Sequence, residues 1–321
     1  MKSPITGGPA RFVKKEITSK FRGEDFPCVA CEWQCEGTNE PIDLYWGKDF
    51  VSQQVSVQYA LKHHQPLPYQ IKRFRHRTNI SYETLSTLSG IPEKDIKAYV
   101  MGETEAMPAE YDYSYLHALC SASSEHYADF LCKTKGVESL KWPLRNFYVS
   151  NKIDKSSKKF RDGDVYHYYE EGLKTGFGEK CEAKLDAALV YIVKSSVEPL
   201  SQKDLEDILF FSDLISYVRN GVSVSGLPYV WENGIRCEIP FICNLLPTDI
   251  MSIKGEVVHL LLDLNWPNLE PIFADAIDLA MQMPEEIKAE VREMFKDKLK
   301  VSFNDAITEK LFVFARENSV V

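Results

Sequence analysis

Apolar side chains recur at helical spacing through much of the chain. In Glu182–Ser195 they fall at Leu185, Ala188, Leu189, Ile192 and Val193, which predicts a helix. Ser201–Val218 repeats the pattern, and Leu205, Ile208, Leu209, Leu214, Ile215 and Val218 fill most of the circumference, so this helix should be central. Ser201 and Asp204 have capping-box spacing with Asp in place of Glu or Gln. Asn220-Gly221 supplies the stop, because glycine suits a left-handed C-cap. Glu256–Leu264, Leu269–Met281 and Glu285–Leu299 read as further helices, with Pro284 opening the last. Residues 54–130 also look helical, and 130–149 fit neither period clearly. Residues 10–50 differ. They mix β-branched and aromatic residues with turn signals at Arg22-Gly23-Glu24-Asp25 and Gly37-Thr38-Asn39, which predicts short strands. Val222–Trp231 reads as a small hairpin inserted between helices. The expected fold class is mainly α with small β elements.

The clearest break is residues 150–164, polar with five basic residues, which reads as a solvated linker. The expected organisation is a β-rich segment at 1–54, a helical unit at 55–149, the linker at 150–164 and a second helical unit at 165–321.

Residues 80–102 have the spacing of two short helices crossing at a tight turn. Ser81 caps the first, Gly90 makes the turn, Pro92 opens the second and Gly102 ends it. Ile80, Leu85, Leu88, Ile91, Ile96 and Tyr99 tie the pair together. The segment resembles the helix-turn-helix of the Xre-type family over its whole length. Upstream, Lys62–Arg77 holds five basic residues, three histidines and no acid, where phosphate contacts are expected. The candidate DNA-binding residues are Lys72, Arg73, Arg75, Arg77, Lys94 and Lys97. The other reading is a retained scaffold that contacts no DNA, since Glu93 and Asp95 stand beside Lys94 on the second helix.

Cys28, Cys31 and Cys35 form a Cys-x-x-Cys with a third thiol, but no second close pair follows, as a structural zinc usually requires. Zinc is therefore the minor expectation and a metal-free β segment the main one. Taken with the helix at Val55–His64 and the motif after it, residues 14–118 resemble MqsA/YgiT-type regulators. That resemblance implies a small β-domain ahead of a helix-turn-helix.

Residues 185–240 resemble the SocA-like Panacea domain of bacterial and phage antitoxins. The match rests on Leu209, Phe210, Phe211, Asp213, Tyr217, Gly221, Ser223, Gly226 and Tyr229. It departs at Gly234–Pro240, where the family's turn keeps only the final proline and the glycine. Leu209, Phe210 and Phe211 read as core. Asp213 follows an apolar run and needs partners, which the hairpin backbone or Ser223 would supply. Tyr217, Tyr229 and Trp231 can be either core or an exposed surface. With Arg219 they form the candidate partner-binding set.

Composition adds three constraints. At 44% hydrophobic and 26% charged, a chain of 321 residues is ordinary globular material. Eight cysteines, five of them scattered, and the absence of an apolar leader or membrane-length run point to a cytoplasmic setting. The net charge of −9 is unevenly placed. Residues 1–160 carry 22 basic and 19 acidic residues, and 161–321 carry 16 and 28. An acidic second half does not bind nucleic acid along its whole surface, so any DNA work belongs to the first half. The chain lacks His-Glu-x-x-His, a phosphate-cradling glycine loop, a dinucleotide fingerprint and a nucleophile elbow, so no enzyme is expected. The resemblances imply an antitoxin that neutralises a cognate protein toxin by direct binding and contacts operator DNA, without a cofactor and compatible with a homodimer. The rivals are a transcription regulator without a toxin, a proteolysis adaptor, and an enzyme on a Panacea-like fold.

Overall fold

The computed structural model describes residues 2–42, 45–121, 172–178, 182–238, 251–254, 256–261, 269–296, 298 and 300–318. The 150–164 linker and residues 130–149 lie outside this set. Among the described residues the protein is mainly helical with small antiparallel sheets.

The chain opens with β1 (Ala10–Phe21) and β2 (Glu24–Cys35), paired along their full length from Ala10↔Cys35 to Phe21↔Glu24. The connecting residues Arg22 (φ 49°) and Gly23 (φ 87°) both lie in the left-handed region, as a two-residue type I′ hairpin turn requires. β3 (Pro41–Ile42) covers only Trp33 and Gln34 on the other side of β2. Helix α1 (Tyr45–Lys62) meets the rest of that edge. The Gln54 amide accepts from Val29 N at 3.0 Å and donates to Val29 O at 2.9 Å, and Gln58 Nε2 donates to Pro27 O at 2.7 Å. Two glutamines one helical turn apart thus satisfy backbone groups that would otherwise be an open strand edge. Gly47 allows the close approach, since a Cβ there would lie 2.5 Å from Cys31 O. The expected boundary at residue 54 falls inside α1, so the β segment is not separate from the helix after it.

Helices α2 (Pro68–Thr78), α3 (Tyr82–Ser89), α4 (Glu93–Val100) and α5 (Ser114–Ser121) close around a core of their own that includes Phe74, Leu85, Leu88, Ile96, Met107 and Leu116. Local signals set these short helices. Ser81 Oγ accepts from Thr84 N at 3.0 Å, and Gly90 (φ 78°) closes α3 in the left-handed conformation.

The larger core forms around α6 (Glu182–Ser195) and α7 (Gln202–Asn220). The capping box at Ser201 and Asp204 forms, and Gly221 (φ 72°) ends α7 by donating to Tyr217 O at 2.9 Å. From Leu205 to Val218 only Asp207 escapes full burial, as expected of a central helix.

Two predictions fail beyond α7. The hairpin is β4 (Tyr229–Trp231) with β5 (Ile235–Cys237), later than expected, and residues 222–228 are irregular. The described part of the expected helix Glu256–Leu264, residues 256–261, is not helical. β6 (Met251–Lys254) pairs with β7 (Val257–Leu260), because the short apolar run with adjacent Val257 and Val258 suits a strand once a partner strand is present. α8 (Pro271–Gln282) and α9 (Glu285–Glu293) follow, the second shorter than expected. Two further helices, α10 (Phe303–Ala306) and α11 (Glu309–Glu317), seat Phe303 and Phe312 in the large core. Phe312 lies 6.0 Å from Trp33 and 5.6 Å from Phe50 between ring centres, so the N-terminal sheet shares its core with the C-terminal helices.

Candidate functional site

The nine residues behind the Panacea resemblance gather into one buried unit. Its centre is Asp213, fully buried on α7. Asp213 accepts from Ser225 N at 2.7 Å, from the Ser225 hydroxyl, and from the Tyr229 hydroxyl at 2.7 Å. The backbone part of the expectation holds, but the hydroxyl belongs to Ser225. Ser223 instead donates to Thr175 O at 2.6 Å and accepts from Gly226 N at 3.1 Å. Burial pushes the Asp213 carboxyl up to about 6 against the pull of its hydrogen bonds and of the Lys184 charge. At neutral pH it is an acceptor for three donors, and it pins the irregular 221–229 segment to α7.

This arrangement overturns half of the candidate partner set. Tyr217 and Tyr229 are 0% and 1% exposed. Their rings lie 5.7 Å and 6.3 Å from Phe303, in the aromatic core that the last helices complete. They are structural and present no surface. Arg219 and Trp231 remain half-exposed, at the end of α7 and on β4.

A second buried charge holds the halves together. Arg316 on α11 pairs with Asp49 on α1, donates to Gln53 Oε1 at 2.9 Å, and donates to Val218 O in the last turn of α7 at 2.6 Å. Sequence reasoning missed it because its partners lie about 100 and 265 positions away.

The six candidate DNA-binding residues divide between two faces. Lys94 and Lys97 are exposed on α4, where Lys97 pairs with Glu93 at 2.6 Å. Arg75 is stacked on Tyr82, with its guanidinium 3.4 Å from the ring centre, and its Nε donates to Ile80 O at 3.1 Å. Lys97 Nζ lies 5.7 Å from the same ring, so Arg75, Tyr82 and Lys97 form one continuous patch. Tyr82 carried no sequence signal beyond its position after the Ser81 cap.

The other three basic residues face elsewhere. Lys72, Arg73 and Arg77, together with Arg75, line a cleft of about 1180 Å³ between α1, α2, the ends of α4 and α7, and the start of α8. Arg73 is a correction to the DNA-binding set. It is 4% exposed and its Nε lies 3.8 Å from Glu270, just ahead of α8, so it braces the two halves and does not reach solvent. Arg77 is half-buried, and Lys72 is exposed.

The cysteines do not converge. Cys28 and Cys31 are three residues apart on one strand and so point to opposite faces, Cys28 into the small cluster with Val55 and Tyr59 and Cys31 into the large core. Cys35 shares the Cys31 face but sits four residues on, about 13 Å along an extended strand. Burial pushes the Cys28 thiol up to about 11 and the Cys31 thiol up to about 12, which disfavours the thiolate that zinc needs. The described residues contain no group of three or more metal-ligating side chains. They also contain no helix long and apolar enough to cross a membrane. Comparison of the chain with family models, with curated proteins and with solved structures finds no match.

Proposed function

We propose that this protein is an antitoxin. The C-terminal helical unit binds a protein toxin directly, and α3 and α4 act as a helix-turn-helix that contacts operator DNA. The observation that carries the reading is the Asp213 unit. The residues on which the antitoxin resemblance rests are all buried, the apolar ones in the large core and Asp213 bonded to Tyr229 and Ser225, so they specify a rigid scaffold and leave partner recognition to its exterior. Arg219 and Trp231 at the rim are the retained candidates for that exterior surface. On the DNA side, Arg75, Lys94 and Lys97 are the phosphate or base contacts, with Tyr82 holding Arg75 in place.

The test is co-expression with the product of the adjacent gene, scored for growth. Rescue by the wild-type protein, lost in a Trp231→Ala, Arg219→Ala double variant that melts like the parent, is the expected result. Failure of the wild type to rescue, with an operator shift retained, would establish the rival reading of a regulator without a toxin. The operator surface has its own test, a mobility shift with upstream DNA. Lys94→Glu with Lys97→Glu should abolish it without affecting rescue.

A further inference from the structure

The cleft between α2 and the start of α8 has chemistry that toxin neutralisation does not use. Its volume, about 1180 Å³, lies just above the ~300–1,000 Å³ typical of small-molecule sites. Its walls are helices and the segments that join them, and among the described residues no strand contributes to the lining. A peptide therefore finds no strand edge there to extend.

The charge in the cleft is concentrated. Lys72, Arg75 and His76 lie within five residues of one helix, so they span about 6 Å at 1.5 Å per residue. Lys72 and His76 are one turn apart and both exposed. Arg75 is already oriented by the Tyr82 ring and by its bond to Ile80 O, so little freedom is lost when it engages an anion. The acids opposite are mostly engaged. Glu270 faces Arg73, Asp49 pairs with Arg316, and Glu105 accepts from Ser52. Beside the basic stripe the cleft turns apolar, at Leu67, Val222, Leu269 and Ile272. An acidic helix laid in a groove would need cations spread along its length. A compact anion attached to a partly apolar body fits a short basic stripe beside an apolar floor.

We propose that this cleft binds the phosphate of a nucleotide, free or at the end of a single strand, with Lys72, Arg75 and His76 holding the phosphate and the apolar floor receiving the sugar and base. The site shares Arg75 with the patch on α3 and α4, is otherwise separate from the exposed Lys94 and Lys97, and does not depend on the antitoxin reading.

Calorimetric titration of the full-length protein tests this, with inorganic phosphate, AMP, ATP, a six-nucleotide oligothymidylate and a glutamate-rich peptide as separate probes. At least one nucleotide probe should bind more tightly than inorganic phosphate. Lys72→Glu and His76→Glu should each weaken it roughly tenfold or more, the loss of one charge-assisted contact, while Lys203→Glu on the exposed start of α7 leaves it unchanged. An oligonucleotide preferred over ATP identifies a strand end as the ligand, and the reverse preference identifies a free nucleotide. The proposal is overturned if no nucleotide binds, if binding survives both substitutions, or if the acidic peptide binds and displaces the nucleotide. Lys72 and His76 are exposed, so the variants should keep the parent's melting curve. A loss of binding alongside a loss of that curve is replaced by titration of Lys72→Ala, read by the same criterion.

Discussion

The two hydrophobic cores are built on different terms. The smaller, around α2–α5, comes from helices of eight to eleven residues whose ends are set by Ser81, Gly90 and Pro92. The larger is organised by α7, nineteen residues long, whose interior polar groups are buried and satisfied at a distance by Ser225, Tyr229 and Arg236. The first can be assembled from local signals. The second needs the whole chain, including the first strands and the last helix. The broadest test of the difference is to place a charge in each core. Leu209 and Leu85 are both fully buried, so Asp at either costs several kcal/mol, a large share of a domain's roughly 5–15 kcal/mol. Leu209→Asp should abolish the cooperative melt everywhere. Leu85→Asp should leave a cooperative melt in place. If the cooperative melt is lost in both, the two cores are one folding unit.

The next effect lies at the clasp that makes the larger core continuous. Arg316→Met keeps the length of the side chain, removes the Arg316 donor from Val218 O and leaves Asp49 with Gln53 Nε2 at 3.2 Å. The Asp49 side chain is 29% exposed, so the loss should fall below the ~3–5 kcal/mol of a fully buried pair, at about 1–3 kcal/mol. Urea unfolding should show a loss in that range. A loss under 1 kcal/mol would mean that packing alone joins α11 to α1.

Asp213 sharpens the contrast, since the smaller core shows no comparable buried carboxylate among its described residues. Its folded value, about 6, stands above the usual 3.8, so the folded state binds the proton more tightly. The resulting stability is fully present below about pH 4 and is lost as the pH rises through about 6, a change on the order of 3 kcal/mol. Asp213→Asn is uncharged and of the same shape. The stability of the variant relative to wild type should therefore rise between pH 4.5 and pH 7, measured by urea unfolding at both. A difference that is flat with pH would show that the hydrogen bonds of Asp213 fully offset its burial.

The same division explains what could be read in the sequence. The helix at 182–195, the Ser201 box, the Gly221 stop and the turn at Gly90 were legible because each depends on residues a few positions apart. The hairpin at 251–260 was not, because a short apolar run such as Glu256–Leu264 satisfies either period and only its partner strand decides. Arg73 looked like its basic neighbours on α2 until Glu270 was placed against it. Tyr217 and Tyr229 could not be assigned to core or surface without Phe303, which belongs to a helix of four residues that the pattern did not predict. Ser225 rather than Ser223 meets Asp213 because the irregular path of residues 222–228 sets the phase.

The smallest effect separates the cores at a single atom. Gly90 and Gly221 end their helices with nearly the same backbone, φ 78° and 72°, so alanine carries the same left-handed strain at each, about 1–2 kcal/mol. Their surroundings differ. A Cβ on Gly90 meets nothing within 4 Å, whereas one on Gly221 lies 3.1 Å from Gln53 O and 3.3 Å from the Val57 side chain. Gly90→Ala should thus lose the conformational cost alone. Gly221→Ala should lose that and more, because α1 is held against the α7 terminus by Arg316 and yields poorly. Equal losses in urea unfolding would mean that α1 shifts freely, and that the continuity of the larger core is looser than its hydrogen bonds imply.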